Sequence, residues 1–292
     1  IPPHTAALPL RAPPPPPVML DSATIERDLA FAIAAARDAG DRGLALRALE
    51  RWEGKTLGDV CDQACDGLLH GLLAGRYPDD GVLSEETVDT PERLAKSRVW
   101  IVDPLDGTKE YAQLRDDWAV HVALAVDGRC VLGAVALPSQ GKVLYGVAEA
   151  GAEHAGSEGG DPGALISGAS PQEGRPRIAV SRSHTPEWVD RFAAAVEGDL
   201  VPAGSAGHKA GMLLTGDADM YVHKIGLKEW DTCAPETIAR SLGWHVCRLD
   251  GSEHVYNQAD PRNHELVMCR PAARDAVLAA LEQSGALEDR KV

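Results

Sequence analysis

The sequence predicts an α/β protein built from packed layers of helices and sheets. Two blocks of mixed helical and strand patterns predict this class, and a stretch rich in glycine, serine, alanine and proline separates them. Apolar residues form 44% of the 292-residue chain and charged residues 25%, which suffices for a substantial core. We expect a disordered proline-rich tail at 1–20, an N-terminal α+β domain at 21–150, a loop or linker at 151–176 and a C-terminal α/β domain at 177–292.

The first block predicts two helices followed by strands. Asp21 or Ser22 is a good N-cap for the alanine-rich first helix. Leucines at helical spacing predict a second helix, which Asp62 opens. Asp127-Gly128 supplies the positive φ that a tight hairpin turn requires. The predicted elements are helices over 21–51 and 62–73 and strands over 99–102, 119–126, 130–137 and 142–148.

The second block alternates helices with strands, as its apolar periodicity indicates. Trp230 and Asp231 come directly before one of the helices. The predicted elements are strands over 178–181, 220–223 and 266–269 and helices over 186–196, 207–214, 232–242 and 272–281. Both halves therefore favour the same layered class.

The charge of the chain excludes one class of partner. With 29 basic and 44 acidic residues the formal net charge is −15, so we expect no basic face for DNA, RNA or an anionic membrane. No apolar run approaches the roughly 18 residues of a membrane helix, and prolines interrupt any secretory signal. Six scattered cysteines predict neither a disulfide framework nor a zinc ribbon. We expect a cytoplasmic protein with reduced thiols.

Asp103 and Asp106 form the most informative acidic motif. They follow an apolar run and lie three residues apart in a turn stiffened by Pro104 and Gly107. Both carboxylates, with the Leu105 carbonyl between them, can point to one place, which suits Mg²⁺ because this cation prefers oxygen ligands. The alternative is that Asp-Pro-x-Asp-Gly only forms a β-turn.

Three further acidic residues lie at the edges of apolar segments. Glu85 follows Val82-Leu83, and on its own it would be a solvated loop residue. Asp231 and Asp62 each stand at the start of a predicted helix, where an aspartate serves as an N-cap, as a metal ligand or as both. Together with the Asp103 motif they favour a metal site over an isolated turn.

Three motifs resemble a known superfamily. Glu85-Glu86, Trp100-Ile-Val-Asp-Pro-Leu-Asp-Gly-Thr108 and Trp230-Asp-Thr-Cys-Ala-Pro235 match, in order and spacing, the inositol monophosphatase-like superfamily of Mg²⁺-dependent, lithium-sensitive phosphatases. The resemblance extends from about residue 22 to the C-terminus. It implies an αβαβα sandwich, usually dimeric, that binds two or three Mg²⁺ ions and is inhibited by Li⁺.

The resemblance also implies roles for individual residues. The implied metal ligands are Glu85, Asp103, Asp106, Asp231 and the main-chain carbonyl of Leu105. Asp62 and Thr108 are the implied pair that orients and deprotonates the attacking water. The chemistry agrees, because a threonine hydroxyl alone is a poor base and needs an acidic partner.

The residues after Thr108 narrow the resemblance. Gly107-Thr-Lys-Glu-Tyr111 and Trp230-Asp-Thr-Cys-Ala-Pro-Glu236 look like the 3′(2′),5′-bisphosphate nucleotidases, including the CysQ type. Segments 181–184 and 204–209 are similar to parts of these enzymes that hold the adenosine and its second phosphate. The implied substrate-binding residues are Gly107, Lys109, His184, Ser205 and Lys209. The alternatives are that Lys209 is a surface lysine, that His184 is a loop histidine and that Lys109 only orders the turn.

The resemblance implies a Mg²⁺-dependent phosphatase that converts 3′-phosphoadenosine 5′-phosphate to AMP in sulfate assimilation, with the 5′-phosphosulfate as a second substrate. Its partner is a small phosphorylated molecule, and a homodimer is expected. One alternative is an inositol 1-phosphate or fructose 1,6-bisphosphate phosphatase. A third possibility is a non-catalytic metal or nucleotide sensor, against which the Asp62 and Thr108 pair argues, since a sensor needs no water-activating relay.

Overall fold

The computed structural model describes residues 20–148, 154–159, 165–183 and 185–288. His184, and the predicted tail at 1–20 except for Leu20, lie outside the described residues. Within these ranges no helix is long and apolar enough to cross a membrane.

The described part of the chain contains seven helices. They are α1 (Ser22–Ala48), α2 (Gly54–Arg76), α3 (Thr108–Ala112), α4 (Glu187–Ala195), α5 (Ala206–Thr215), α6 (Glu229–Ser241) and α7 (Arg274–Gln283). As the sequence predicts, Asp21 caps the first of them, and its Oδ1 accepts a hydrogen bond of 3.0 Å from the Thr24 N–H.

The same ranges contain eleven strands. They are β1 (Gly81–Ser84), β2 (Arg98–Asp106), β3 (Ala119–Val126), β4 (Arg129–Leu137), β5 (Lys142–Val147), β6 (Gly156–Glu158), β7 (Arg177–Ser181), β8 (Asp199–Ala203), β9 (Met220–Lys228), β10 (His245–Cys247) and β11 (Arg262–Cys269).

The strands form two sheets. The first has six strands in the order β1-β2-β3-β4-β5-β6, antiparallel except for the parallel pair β1–β2. The second has five strands in the order β10-β11-β9-β7-β8, with β7 parallel to both of its neighbours. The parallel β1–β2 pair brings the ends of two strands to one edge of the first sheet, where the acidic residues collect.

The two sheets and three pairs of helices make five layers. Helices α1 and α2 cover the outer face of the first sheet. Helices α5 and α6 lie between the sheets and share one apolar cluster with both of them. Helices α4 and α7 cover the outer face of the second sheet. This arrangement confirms the predicted αβαβα sandwich, and the sandwich buries both faces of each sheet.

Strand β3 shows how the sequence specifies these layers. All eight of its residues are buried. Ala119 and Ala123 join the inner cluster with α5 and α6, whereas Val120 and Val122 join the outer cluster with α1 and α2. Successive side chains of a strand point to opposite faces, so this strand needs apolar residues at every position. The exception is His121, which is fully buried on the inner face.

Several predicted elements are confirmed and two predicted helix starts are wrong. The hairpin at Asp127-Gly128 forms as expected, with positive φ at both residues. The second helix begins at Gly54, so Asp62 lies in its middle and does not open it. Helix α6 begins at Glu229, which places Asp231 inside its first turn and not before it.

The strands differ from prediction in two ways. Strand β2 continues through the acidic motif to Asp106, because its backbone still pairs with β3 beyond a register shift. The sequence analysis missed four short strands, β1, β6, β8 and β10, which have only three to five residues each. Strand β6 lies in the glycine-rich stretch that was expected to be a loop, and it pairs with β5. The division into two domains stays a prediction.

Candidate active site

Three buried or partly buried carboxylates meet where the first sheet and the inner helices come together. Asp103 and Asp106 come from the end of β2, and Asp231 comes from the first turn of α6. One carboxylate oxygen from each lies within 4.8 Å of the other two. The sequence-predicted motif and the distant Asp231 therefore do converge, as ligands of one cation would have to.

The backbone between the two β2 aspartates is held in a tight turn. The Leu105 N–H donates a 3.1 Å hydrogen bond to Asp103 Oδ1, and the Thr108 hydroxyl donates one of 3.1 Å to the Leu105 carbonyl. Gly107 ends the turn at φ 91, a left-handed conformation that favours glycine. The turn directs both carboxylates into the same corner of the site, and the part of the Leu105 carbonyl as a ligand stays a prediction.

Asp106 is held by the start of helix α5. Its Oδ2 accepts hydrogen bonds of 2.6 Å from the Ser205 hydroxyl and 2.6 Å from the Gly207 N–H, and Oδ1 accepts one of 3.1 Å from the Ala206 N–H. Burial alone would raise the pKa of Asp106, but His121 and these donors hold it well below its usual range. The main-chain N–H groups at a helix start favour a negative charge at this place.

The pKa values of Asp103 and Asp231 are shifted in the opposite direction from that of Asp106. Burial raises the pKa of Asp103 well above its usual range, and the charges of Glu85, Asp106 and Asp231 raise it further. Burial also raises the pKa of Asp231 to about 7, with Asp106 adding to the effect, although its Oδ2 accepts a 2.7 Å hydrogen bond from the Lys228 N–H. For neither carboxylate do the nearby hydrogen bonds and positive charges offset burial and the neighbouring acidic charges.

A divalent cation fits this set of groups. Asp103 Oδ2 is a buried oxygen with no hydrogen-bond partner in the described part of the chain, in a cluster of like charges. A buried acceptor without a partner is unfavourable unless something fills the role. The available ligand atoms are all oxygens, which Mg²⁺ prefers over softer ligands such as sulfur.

Glu85 lies at the rim of the same cluster. In the parallel β1–β2 pair Ser84 lies opposite Val102, so the next residues along the two strands are Glu85 and Asp103. The side chain of Glu85 is exposed. Its charge nevertheless contributes to the raised pKa values of Asp103 and Asp231. Glu85 is not among the three residues whose carboxylate oxygens lie within 4.8 Å of one another, so its role as a ligand stays a prediction.

The predicted water-activating pair also comes together. Asp62 is buried in the middle of α2, and burial, followed by the charges of Glu86 and Glu85, raises its pKa to about 8. The nearby Thr108 hydroxyl acts in the opposite direction and lowers this pKa, although in the structure that hydroxyl donates to the Leu105 carbonyl. Gly58 allows this approach of α2 to α3, because a Cβ at that position would lie 2.8 Å from Thr108 Cγ2.

The residues predicted to bind substrate have different surroundings. Ser205 is the N-cap of α5, where its side chain accepts a 3.0 Å hydrogen bond from the His208 N–H while donating to Asp106. Gly107 packs against the same loop, since a Cβ there would lie 3.2 Å from Ser205 Cβ. Lys109 is exposed on α3.

Lys209 is not the surface lysine that was one of its alternatives. Only 4% of it is exposed, and its Nζ donates hydrogen bonds of 2.6 Å to the Ser205 carbonyl and 3.2 Å to the Gly204 carbonyl. Burial lowers its pKa to about 8. These contacts show that Lys209 supports the loop that carries Ser205; its direct contact with a substrate phosphate stays a prediction.

Asp117 holds the same loop from the other side. Its Oδ2 accepts a 2.7 Å hydrogen bond from the Gly204 N–H. The same oxygen forms an ion pair with the Arg182 guanidinium at 2.6 Å. Burial would raise the pKa of Asp117, but Arg182 and Gly204 lower it to about 2. Only glycine fits at position 204, because a Cβ there would lie 2.3 Å from Glu110 Cγ. Neither residue was predicted from the sequence: Asp117 belongs to no motif, and Arg182 lies in the segment 181–184, of which only His184 was given a role.

Comparison with known proteins identifies the group to which this arrangement belongs. The profile of the inositol monophosphatase family matches residues 26–286. The chain belongs to the inositol monophosphatase family. This confirms the resemblance drawn from Glu85, the Asp103 motif and the Trp230-Asp231 motif.

Curated relatives within the family are similar over most of the chain. A protein of Mycobacterium tuberculosis (strain CDC 1551 / Oshkosh), named 3′-phosphoadenosine 5′-phosphate phosphatase, is 41% identical over 234 residues, covering 77% of this chain and 82% of the relative. A protein of Callithrix jacchus, named Golgi-resident adenosine 3′,5′-bisphosphate 3′-phosphatase, is 30% identical over 291 residues, covering 84% of this chain and 78% of the relative.

Solved structures of the family share the fold. The crystal structure of CysQ from Bacteroides thetaiotaomicron, described as a bacterial member of the inositol monophosphatase family, superposes with a TM-score of 0.74. It covers 85% of this chain and 99% of the CysQ chain at 24% identity. At 24% identity this similarity establishes the fold alone, and the proposed activity depends on the curated relatives.

His121 is the other residue of the site that the sequence analysis missed. Its ring lies between Asp106 and the carbonyl of Trp230. The signal that identifies it is its position in β3, where a single histidine interrupts the otherwise apolar inner face of a fully buried strand. A buried polar side chain in such a strand requires partners, and the sequence alone does not name them.

Proposed function

We propose that this protein is a Mg²⁺-dependent phosphatase that removes the 3′-phosphate of 3′-phosphoadenosine 5′-phosphate to give AMP. The observation that carries the phosphatase chemistry is the convergence of Asp103, Asp106 and Asp231 around the partnerless oxygen of Asp103. The substrate rests on the 41% identical relative that bears this name. The 5′-phosphosulfate of the same nucleotide is the second proposed substrate, and sulfate assimilation is the proposed setting.

The acidic groups would hold the metal and Asp62 would receive the proton. Glu85, Asp103, Asp106, Asp231 and the Leu105 carbonyl are the proposed ligands. Bound Mg²⁺ would lower the pKa of a water molecule and neutralise the charge that develops on the leaving oxygen. We assign metal binding mainly to the N-terminal block, and the loop at 204–207 together with Asp231 completes the site from the second block.

Thr108 is positioned to pass a proton from the attacking water to Asp62. A threonine hydroxyl carries one proton, which in this structure is donated to the Leu105 carbonyl, 3.1 Å away. Asp62 is the second group in contact with that hydroxyl. Rotation of the hydroxyl toward Asp62 leaves a lone pair on the Thr108 oxygen free to accept a hydrogen bond from water, which orients the water for attack on phosphorus.

Lithium sensitivity, oligomeric state and location are proposals of the same kind. Li⁺ is close to Mg²⁺ in size but carries half of its charge, so in a Mg²⁺ site it stabilises the leaving oxygen less. We propose that Li⁺ inhibits, that the protein forms a homodimer and that it acts in the cytoplasm. Gly107, Lys109, His184, Ser205 and Lys209 are the proposed contacts to the substrate.

Phosphate release from three compounds tests the proposal. The compounds are 3′-phosphoadenosine 5′-phosphate, inositol 1-phosphate and fructose 1,6-bisphosphate, each assayed with and without Mg²⁺. We expect the highest kcat/KM for the nucleotide, and no release without the metal. A preference for either of the other two compounds would favour another activity of the inositol monophosphatase family. Hydrolysis of none of them would favour the sensor alternative.

A further inference from the structure

His121 occupies a position between two parts of the acidic cluster. It is fully buried, with its Nδ1 2.8 Å from the carbonyl oxygen of Trp230 and its Nε2 3.1 Å from Asp106 Oδ2. Because a carbonyl oxygen only accepts hydrogen bonds, Nδ1 carries a hydrogen and donates it to Trp230. The ring therefore hydrogen-bonds the residue next to Asp231 through its main chain and lies at ion-pair distance from Asp106, without the geometry of a hydrogen bond at Nε2. Because a carboxylate also only accepts, the contact with Asp106 is attractive when Nε2 carries a hydrogen as well.

The His121 ring fits into the fold because the neighbouring residue of α5 is a glycine. Helix α5 begins beside His121, and a Cβ on Gly207 would lie 2.1 Å from His121 Nε2. The same glycine donates its N–H to Asp106 at 2.6 Å. A larger residue at 207 would displace either the histidine or the start of α5, so the glycine and the histidine fit one another.

The other contacts of the two aspartates do not connect them. Ser205 and Gly207 attach Asp106 to the start of α5. The Lys228 N–H holds Asp231 within the beginning of α6 itself. Apolar packing of α5 and α6 in one cluster sets the general distance between these elements. The His121 ring adds a polar link at the site itself, because its two nitrogens face Asp106 and the Trp230 carbonyl.

We propose that His121 is a positioning residue that fixes the separation of Asp106 and Asp231 and thereby determines the affinity of the cation site. The proposal rests on the metal site of the proposed function. Groups that hold metal ligands in place are typically worth about 10- to 100-fold in metal affinity or activity when removed. Because the His121 side chain is fully buried, its loss should act through the metal ligands and not through substrate binding.

Binding of Mn²⁺ to the substrate-free protein tests the proposal. Affinity is measured by calorimetry or by the electron paramagnetic resonance of free Mn²⁺. His121→Leu should weaken binding about 10- to 100-fold. His121→Gln keeps a donor near the Nε2 position and His121→Asn one near the Nδ1 position, so each should lose less. In phosphatase assays the Mg²⁺ concentration for half-maximal activity should rise in parallel, with KM for the nucleotide unchanged at saturating Mg²⁺.

Val122→Ala is the matched control. Val122 is the next residue of β3, equally buried, but it packs toward α1 and α2 on the opposite face. This variant loses core packing without touching the site, so its Mn²⁺ affinity should stay within about twofold of wild type. The comparison separates a general loss of stability from a loss of ligand positioning.

Two results would overturn the proposal. One is a folded His121→Leu protein that binds Mn²⁺ with wild-type affinity. If His121→Leu does not fold, wild-type affinity in both His121→Gln and His121→Asn is the equivalent result. Failure of the proposed metal site gives a different result: wild-type protein would bind no Mn²⁺, or Asp103→Asn would bind it normally. The positioning role of His121 would then be wrong as well, because it rests on that site. If wild type binds Mn²⁺ but hydrolyses none of the three phosphates, the proposed function is wrong, and the Mn²⁺ affinities of the His121 variants still test the positioning role.

Discussion

Replacing Asp231 by asparagine should stabilise the metal-free protein and abolish most of its activity. Burial and the charge of Asp106 raise the pKa of Asp231 from 3.8 to about 7. Each unit corresponds to about 1.4 kcal/mol, so keeping this carboxylate ionised in the folded state costs up to about 4 kcal/mol. The side chain is partly exposed, and water screens part of that cost, which leaves roughly 2–4 kcal/mol. Asparagine still offers an oxygen to the Lys228 N–H.

The sign of the effect depends on pH. Below about pH 4 the carboxyl is protonated in the folded and the unfolded chain, and it contributes no difference. Between about pH 4 and 7 the unfolded chain has lost this proton and the folded chain retains it, so the stability of the metal-free wild type falls as pH rises. Asp231→Asn lacks this contribution. Its Tm should match wild type near pH 4 and exceed it by roughly 5–10 °C at pH 8.

Thermal unfolding in the presence of a chelator and then with Mg²⁺ measures both effects. Mg²⁺ should raise the Tm of wild type and leave that of Asp231→Asn nearly unchanged. Asp219→Asn is the control, because Arg177 and Arg270 outweigh burial and lower the pKa of Asp219; removing that charge should destabilise the protein at pH 8. A metal-free Asp231→Asn protein that is less stable than wild type at pH 8, or equal stabilisation of both by Mg²⁺, would refute the reasoning.

Three further results are expected. Asp103→Asn should lower turnover at least about 100-fold in phosphate-release assays at saturating Mg²⁺, and near-normal turnover would contradict its assignment as a ligand. Lys209→Ala should lower kcat/KM for the bisphosphate nucleotide about 10- to 100-fold, as expected for direct contact with its second phosphate, and should barely change that for inositol 1-phosphate; a loss by a similar factor on both would instead indicate that its ammonium only holds the carbonyls of Gly204 and Ser205. Li⁺ should inhibit at concentrations well below those of Na⁺ or K⁺, and equal insensitivity to the three ions would count against the Mg²⁺ site.

Local sequence signals predicted the parts of the site that are close together in the chain. Asp103, Leu105 and Asp106 lie within one turn, so their convergence follows from the turn itself. The hairpin after β3 was predictable for the same reason, since Asp127-Gly128 determines its geometry without any distant contact. The αβαβα layering rested on the resemblance, because residue patterns alone specify layers without their order.

The errors arose where distant contacts override local preference. The predicted start of α2 at residue 62 rested on the leucine spacing, and the segment before it contains Gly54 and Gly58, which are poor helix formers. In the structure the missing side chain of Gly58 is what lets α2 approach Thr108, so the position is helical because of packing. Pro235 favoured a start near Thr232, since proline is common in a first turn. It lies in the second turn of α6, where it withholds the N–H that would otherwise bond to the Asp231 carbonyl.

His121 and Asp117 show a further limit of the sequence. Neither belongs to a motif, and each acts through a main-chain group that is more than eighty residues away: the Trp230 carbonyl for His121 and the Gly204 N–H for Asp117. Main-chain groups carry no sequence signature, because every residue has them. Partners of this kind become visible only when the fold brings the strand and the loop together.

The acidic cluster combines one compensated carboxylate with two uncompensated ones, and this division accounts for its chemistry. Asp106 receives three hydrogen bonds from the start of α5 and the contact from His121, so it stays charged without a metal. Asp103 and Asp231 receive one main-chain hydrogen bond each, and their pKa values are raised. If all three were compensated by the protein, a cation would gain little by binding; if none were, the mutual repulsion would open the site. A fixed anion beside two carboxylates that need a counter-charge provides both a rigid attachment point and a strong preference for a divalent ion.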